Sequence, residues 1–255
     1  MDPGPARDAL TLVAGLATGA LSAAFGVGGA VISTPAIRAL GASATVAVGT
    51  TLPSILPSAI TGTVRYAKEQ LVDWRVVRWA VPAGIVGSVG GSLLSHAVPG
   101  HGHLLMLLTA ALLAYTAIRM TRDQPVVDGE ERPHDGSLLA AIGFAAGGLS
   151  GLLGVGGGIV MVPGFSELAH VPLRKTIATS LVCVGFLAIP GTITHAFLRD
   201  IDWRFAALLT VAVVPGAQLG AWLTMRSSDR RLRLTVAGFL GAISIVYAIG
   251  ELLAL

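Results

Sequence analysis

Long apolar runs separated by short polar stretches occupy most of this 255-residue sequence. A helix needs about 20 residues to cross the roughly 30 Å hydrocarbon core of a bilayer, and six of the runs fit one crossing each. The first and fifth runs are longer and are interrupted by glycines. The pieces beside each interruption, about 10 to 15 residues, reach only about 15 to 22 Å as helices. The eight runs are residues 10–37, 45–64, 76–98, 104–118, 138–165, 176–198, 205–225 and 234–249.

The two glycine interruptions have nearly the same sequence. Gly154-Val155-Gly156-Gly157 repeats Gly26-Val27-Gly28-Gly29, 128 positions upstream, and a serine, Ser22 or Ser150, lies four residues before each copy. Such a density of glycine cannot propagate a stable helix, so each run breaks here. Asp73-Trp74-Arg75 likewise recurs as Asp202-Trp203-Arg204, where both aspartates are predicted helix N-caps. The chain therefore divides into two repeats, residues 1–120 and 137–255, joined by a polar linker, residues 121–136.

The composition is that of an integral membrane protein. Hydrophobic residues make up 53% of the chain and charged residues 12%, and the mean hydropathy is +0.77. The leader, residues 1–8, lacks the pattern of a cleaved signal peptide, and we expect it to be retained. The single cysteine, Cys183, excludes an intramolecular disulfide, and the net charge of +3 does not indicate nucleic-acid binding. The predicted fold class is an all-α polytopic membrane protein.

The distribution of Lys and Arg distinguishes two topologies for the interrupted runs. If every run crosses the membrane, the two faces receive 10 and 7 of the 17 basic residues. If both interrupted runs enter and leave on the same face, the numbers become 13 and 4. Cytoplasmic loops carry the excess of Lys and Arg, which favours the second arrangement. Each repeat is then a re-entrant helical hairpin plus three membrane-spanning helices. The two repeats are inverted relative to each other, and both termini lie outside the cytoplasm.

The glycine breaks are also the predicted binding site. All 14 Asp and Glu residues lie in termini, loops or segment edges, which argues against a buried acidic cation site. A half-helix that starts at a break points unpaired N–H groups and the positive end of its dipole into the membrane, and such an end binds anions. Nearby hydroxyls supply further donors. The candidate substrate-binding residues are Ser22, Gly26, Gly28, Gly29, Thr50, Thr51, Ser150, Gly154, Gly156, Gly157, Gly158, Thr179 and Ser180.

Two polar side chains of the second repeat are candidates for coupling transport to an ion. His195 lies near the outer end of its helix, where the first repeat has Tyr66, and Gln218 has no polar counterpart. A histidine at that depth is also a common interfacial side chain. The sequence contains no nucleotide-binding motif and no metal-ligand spacing, so we expect neither a cofactor nor a metal.

Other interpretations of these residues remain open. Glycine also permits close helix packing in lipid, which we expect for Gly15 with Gly19 and for Gly87 with Gly91. The serines beside the breaks can instead bond a carbonyl one turn back.

An enzyme is the main alternative class. Ser150 lies in Gly148-Leu149-Ser150-Gly151, and His195 as its base would suit an intramembrane serine protease. The first repeat weakens this alternative, because it has Ala20 and Ala23 in place of the glycines and Tyr66 in place of the histidine. A membrane subunit without transport is a third class, and it does not explain glycine breaks in both halves.

The stretch from Leu149 to Pro163, with its degenerate copy at residues 21–35, resembles the TauE/SafE sulfite exporter family, also described as sulfonate-type permeases. The resemblance extends over residues 10–253. The resemblance implies an integral protein of a prokaryotic plasma membrane, in contact with its lipids, that transports sulfite or organosulfonates. The resemblance does not identify the substrate, the direction of transport or the coupling ion. It is compatible with a homo-oligomer. Ala23 and Ala30 replace glycines of the second copy, so we expect unequal half-sites.

Overall fold

The computed structural model describes residues 4–95, 135–153 and 156–252, together with seven helical positions within residues 110–121. These segments contain helices and their connections and no β-strand, which confirms the all-α prediction for them. The predicted run 104–118 and the linker 121–136 lie almost entirely outside the described residues. The helices of the three long ranges are α1 (Pro5–Phe25), α2 (Ala30–Ala39), α3 (Ala44–Lys68), α4 (Trp74–Ser95), α5 (Gly136–Leu153), α6 (Gly158–Pro163), α7 (Leu173–Phe197), α8 (Trp203–Arg226) and α9 (Asp229–Leu252).

Local sequence determines where several of these helices begin and end. The Asp73 carboxylate accepts hydrogen bonds from two N–H groups in the first turn of α4, at 2.9 and 3.3 Å. Asp202 does the same at the start of α8, at 3.2 and 3.4 Å. Both predicted N-caps are therefore confirmed. Gly26, with φ of +66°, ends α1 in the left-handed conformation, and its N–H donates to Ser22 O at 2.8 Å.

The bundle exposes many large apolar side chains around a mostly apolar core that also contains buried hydroxyls. Large apolar side chains point outward, and Val13, Val86 and Val211 are 64–69% exposed. The buried polar side chains in the described part of the chain are all serines and threonines. By length and composition alone, α1, α7 and α8 are long and apolar enough to cross a membrane. An apolar exterior around a hydroxyl-containing interior fits a helix bundle in lipid.

Helices α1 and α2 form a hairpin that begins and ends at one end of the bundle. In the first turn of α1, Asp8 Oδ2 lies 2.5 Å from Arg204 Nη2 at the start of α8. Near the end of α2, Ile37 belongs to the same buried cluster as Phe205, also at the start of α8. The last turn of α1 instead receives a hydrogen bond from Thr224, near the opposite end of α8. Helix α1 therefore begins, and α2 ends, at the same end of the bundle.

The arms on either side of each break differ in length. Helix α1 has 21 residues, about 31 Å at 1.5 Å per residue, whereas α2 has 10. Helix α5 has 18 residues, and α6 has six with a five-residue π-helical continuation, Gly164–Leu168. The prediction of two short arms per break is therefore wrong for α1 and α5. Helix α1 is longer because it begins at Pro5, before the apolar run, where proline favours the first turn.

The first helix of each half packs against the other half of the chain. Helix α1 lies beside α8, α5 lies beside α4, and α3 and α7 pack together. A Cβ at Gly19 would overlap the Val213 carbonyl of α8, and one at Gly147 would overlap the Gly84 carbonyl of α4. Small residues let helix backbones approach this closely in lipid, which confirms the packing role predicted for Gly19.

The fold sorts the basic residues of the described segments between its two ends. The end where α1 begins holds Arg7, Arg38, Arg199 and Arg204. We call the opposite end the arginine-rich end. There α3 and α8 finish and α4, α7 and α9 start, and its basic residues include Arg65, Lys68, Arg75, Arg78, Arg174, Lys175, Arg226, Arg230 and Arg231. Most of the basic residues in the described segments therefore lie at the arginine-rich end.

Two glycines one turn apart on α4 test the packing of the halves. A Cβ at Gly87 would overlap the Phe144 carbonyl of α5, whereas Gly90 has nothing within 4 Å of that position. We expect Gly87→Ala to lower the free energy of unfolding by about 1 to 3 kcal/mol, because α4 and α5 must separate. Gly90→Ala should be neutral or stabilising by up to about 1 kcal/mol. Thermal unfolding in detergent checks this, and equal midpoints for the two variants would contradict it.

Candidate binding site at the glycine breaks

The two glycine breaks contact each other near the middle of α7. A Cβ at Gly28 would lie 3.1 Å from Gly156 O and 2.8 Å from Val184 Cγ1, and Val184 is halfway along α7. A Cβ at Gly158 would lie 2.5 Å from the carbonyl carbon of Val27. Residues 26–30 and 156–159 are all buried. Backbone from the two halves of the chain therefore meets inside the bundle, with no room for a side chain at Gly28 or Gly158.

The start of α2 carries a run of unpaired hydrogen-bond donors. Gly28, with φ of +84°, turns the chain so that α2 starts inside the bundle. In the described part of the chain, the five N–H groups from Val27 to Val31 have no acceptor, although these residues are buried. The ladder of α2 begins only with Ile32 and Ser33, whose N–H groups donate to Gly29 O at 3.0 and 3.1 Å. Orphaned buried N–H groups are rare in proteins, so this run is a candidate site for an acceptor-rich ligand.

Two buried hydroxyls without a partner lie beside these amides. Thr18 Oγ1 and Ser22 Oγ on α1 make no hydrogen bond, and each residue is 1% exposed. A Cβ at Gly29, the residue before α2, would overlap Thr18 Cγ2 and would lie 3.8 Å from Ser22 Cβ. The site therefore combines hydroxyls with amides at a positive helix end, and no charged side chain is buried among the described residues. Such a set favours an anion.

The second break offers fewer free groups. Gly154 lies outside the described residues, and Ser150 is half-buried on α5. Gly156 and Gly157 have φ of +88° and +58°, and Gly158 N–H donates to Gly156 O at 2.5 Å in a tight turn. This break supplies the wall against which the first break packs. The prediction of unequal half-sites stays a prediction, because Gly154 and Val155 lie outside the described residues.

Two of the predicted hydroxyls contact the first hairpin. Ser180 Oγ donates to Gly26 O at 2.9 Å, and Thr51 Oγ1 lies 3.2 Å from Thr34 Oγ1 on α2. These side chains from α7 and α3 therefore hold both arms of the hairpin close to the break.

The other two predicted hydroxyls lie at opposite ends of the bundle. Thr50 Oγ1 accepts from the Asp202 N–H at 3.0 Å, and Thr179 Oγ1 accepts from the Asp73 N–H at 2.9 Å. Each threonine thus supports the start of a helix in the opposite half. The pair is reciprocal, because Thr50 and Thr179, like Asp73 and Asp202, occupy equivalent positions in the repeat.

The structure does not bring His195 or Gln218 to the glycine breaks. His195 Nδ1 lies 3.3 Å from Asp200 Oδ2, at the end where α1 begins. Gln218 is exposed and lines a cleft at the arginine-rich end. Ser150 and His195 make no hydrogen bond with each other in the described segments, which a catalytic pair would need. The described residues also contain no group of three His, Cys, Asp or Glu residues able to hold a metal ion.

Thr18 is the site residue that sequence reasoning missed. Its equivalent in the second repeat is Ala146, so a search for repeated hydroxyls passes over it. The available signal was its position one turn before Ser22 on an apolar helix, which places both hydroxyls on one face.

These features define a class of protein. An apolar exterior and helices long enough to cross a bilayer are those of a polytopic membrane protein. The family model described as sulfite exporter TauE/SafE matches residues 11–247. The chain belongs to that family, as its repeated glycine motif indicated.

Curated relatives agree with this class over most of their length. Probable membrane transporter protein YunE of Bacillus subtilis is 26% identical, over 84% of this chain and 86% of its own. A probable membrane transporter protein of Xylella fastidiosa is 27% identical over 88% of each chain, and one of Methanocaldococcus jannaschii is 24% identical over 92% and 93%. Their names specify transport and no cargo. No solved structure matches this chain.

Replacing either end threonine with valine tests its role in the fold. Thr50→Val or Thr179→Val leaves the N–H of Asp202 or Asp73 without its acceptor, and each should cost about 1 to 3 kcal/mol of stability. Thr235→Val is the control, because its hydroxyl bonds a carbonyl of its own helix on the surface and should change stability by less than about 0.5 kcal/mol. Thermal unfolding measures all three. Midpoints that match the wild type for Thr50→Val and Thr179→Val would contradict this role.

Proposed function

We propose that this protein is a secondary transporter of small sulfur-containing anions and that it binds its cargo at the start of α2. The observation that carries the proposal is the run of five buried N–H groups, Val27 to Val31, beside the unpartnered hydroxyls of Thr18 and Ser22. A single oxyanion satisfies several of these donors at once, whereas an apolar solute satisfies none.

The chemistry of the site suits binding followed by release. A sulfite ion or a sulfonate group presents three oxygens, each able to accept hydrogen bonds from amides or hydroxyls. Neutral donors and a helix dipole replace its hydration shell without a buried cation. A transported ion must bind strongly enough to enter and weakly enough to leave, and neutral donors favour that balance. The sulfite exporter description of the family supports this class of cargo.

Access to the site requires the two halves to move relative to each other. The breaks are buried and packed together, Gly28 against Gly156, so the structure corresponds to a closed state. We infer that the halves are inverted repeats and that one rocks against the other around the paired breaks. The energy comes from the gradient of the anion or of a coupled ion. His195 and Gln218 remain candidates for that coupling, away from the breaks.

We assign the arginine-rich end to the cytoplasm and both termini to the other side of a prokaryotic plasma membrane. Two single-cysteine variants in a Cys183→Ser background test this orientation. Leu198→Cys, at the end where α1 begins, should react with an impermeant maleimide added to intact cells. Ser228→Cys, at the arginine-rich end, should react only in inside-out vesicles. The reverse labelling would overturn the orientation, and labelling of both from one side would show that α8 does not cross the membrane.

The two unpartnered hydroxyls test the binding site. Thr18→Val and Ser22→Ala should each raise the half-saturating concentration of sulfite about tenfold, because a hydrogen bond to a charged group is worth about 1.5 to 3 kcal/mol. Stability should stay the same or rise, since a buried hydroxyl without a partner is removed. Thr11→Val is the matched control on the same helix. Its hydroxyl is buried but donates to Arg7 O at 2.8 Å, so stability should fall while sulfite affinity stays unchanged.

The assay uses purified protein in liposomes with labelled sulfite, thiosulfate, sulfoacetate and an amino acid as control. Saturable transport of at least one sulfur anion, and not of the amino acid, is expected. Failure to transport any of them would refute the proposal. Cleavage of a membrane protein substrate that Ser150→Ala abolishes would favour the protease alternative instead.

A further inference from the structure

Two clefts open at the arginine-rich end and share one arginine. The first, about 540 Å³, lies between α3 and α8 and is lined by Arg65, Lys68 and Gln218. The second, about 330 Å³, lies among α3, α7 and α8 and is lined by Arg65, Arg174 and Arg226. Glu69 lines both clefts and is the acidic residue among their lining residues. Its single negative charge leaves a net positive charge around Arg65.

The arginines of the second cleft differ in what they contact. Arg174 Nη2 donates to Ser227 O at 2.5 Å, and Arg226 lies 4.4 Å from the centre of the Trp222 ring. Arg65 is half-buried, and its guanidinium has neither an ion pair nor a hydrogen bond within the described ranges. A guanidinium offers five N–H donors in a planar fork that matches oxyanions. Arg65 is therefore free to bind one.

Residues next to those that line the clefts contact the end of α1. Tyr66, the neighbour of Arg65, donates from its hydroxyl to Ala23 O at 2.6 Å. Thr224, two residues before Arg226, donates to Ala24 O at 3.0 Å. Both carbonyls belong to the last turn of α1, immediately before the break. The helices that carry Arg65 and Arg226 are therefore hydrogen-bonded to the end of the helix that leads into the break.

Three of the basic residues at this end have uncharged equivalents in the other repeat. The equivalents of Arg65 and Lys68 in the second repeat, 129 positions later, are Thr194 and Phe197. The equivalent of Arg174 in the first repeat is Thr45. The asymmetry is therefore a property of these side chains and not of the repeated fold.

We propose that Arg65, with Arg174 and Arg226, forms a loading site that collects the oxyanion from water at the arginine-rich end before it reaches α2. This rests on the proposed function for the identity of the ligand. A positively charged cleft raises the local concentration of an anion and its rate of capture, in a manner that salt weakens. The phosphate of an anionic lipid has the same oxyanion chemistry, and the experiment separates the two sources.

Binding is measured first, independently of transport, through the fluorescence of Trp222. The full-length protein in zwitterionic lipid vesicles is titrated with sulfite, and Trp222→Phe identifies the part of the signal that comes from the cleft. Arg65→Gln should weaken the apparent affinity about tenfold and flatten its dependence on salt. Arg78→Gln is the control, because Arg78 lies at the same end and stacks on Trp79 outside the clefts. It should stay within about twofold of the wild type.

The outcomes distinguish the loading site from a lipid site and from the proposed function. A Trp222 response to sulfite that does not depend on Arg65 overturns the loading site. A response to phosphatidylglycerol alone, lost in Arg65→Gln and absent with sulfite, assigns the cleft to lipid and also overturns it. If Arg65-dependent sulfite binding persists while liposomes transport no sulfur anion, the oxyanion site stands and the proposed function fails. If transport occurs and Arg65→Gln leaves its half-saturating concentration unchanged, only the loading role fails.

Discussion

A backbone N–H group inside a membrane protein needs an acceptor, because no water is available there to supply one. This constraint makes the start of α2 a candidate binding site. Among the described residues, the five consecutive N–H groups of Val27 to Val31 lack acceptors, and the side chains beside them, Thr18 and Ser22, are also unpartnered. The glycines produce this arrangement, since Gly26 ends α1 and Gly28 turns the chain so that α2 begins inside the bundle. A ligand that accepts several hydrogen bonds would satisfy those donors.

The surrounding fold keeps this site neutral and closed. Glycine-mediated crossings of α1 with α8 and of α4 with α5 join the two halves at backbone distance, which leaves no interior space for charged side chains. The reciprocal bonds of Thr50 and Thr179 connect the halves again at opposite ends. Basic residues gather outside the core, most densely at the arginine-rich end. In the proposed function, dipoles of the interior hold the anion, while basic side chains contact it only outside the core.

Much of the fold follows from the sequence, because the features concerned are local. The glycine motif predicts the breaks, Asp73 and Asp202 predict two helix starts, and the Lys and Arg distribution predicts hairpins that return to the same side. The unequal lengths of the two helices in the first hairpin do not follow from the apolar runs, because α1 extends into the polar leader. The hydrogen bond that Thr50 accepts from Asp202 cannot be predicted from the sequence either, because it depends on which helices pack together in the folded chain. A comparison of the two repeats does not predict Thr18 as a site residue, because its equivalent is Ala146. That Arg65 has no partner for its guanidinium in the described residues is seen only when α3, α7 and α8 are packed together.

We propose that the unpaired amides at the start of α2 bind the transported oxyanion. An experimental structure of the protein with selenite, an analogue of sulfite whose selenium scatters anomalously, tests this binding directly. We expect an anomalous peak within hydrogen-bond distance of the amides of Val27 to Val31 and of the Thr18 and Ser22 hydroxyls. That peak should vanish in Ser22→Ala with Thr18→Val. A peak elsewhere in the bundle, or none at a selenite concentration that saturates transport, would contradict it.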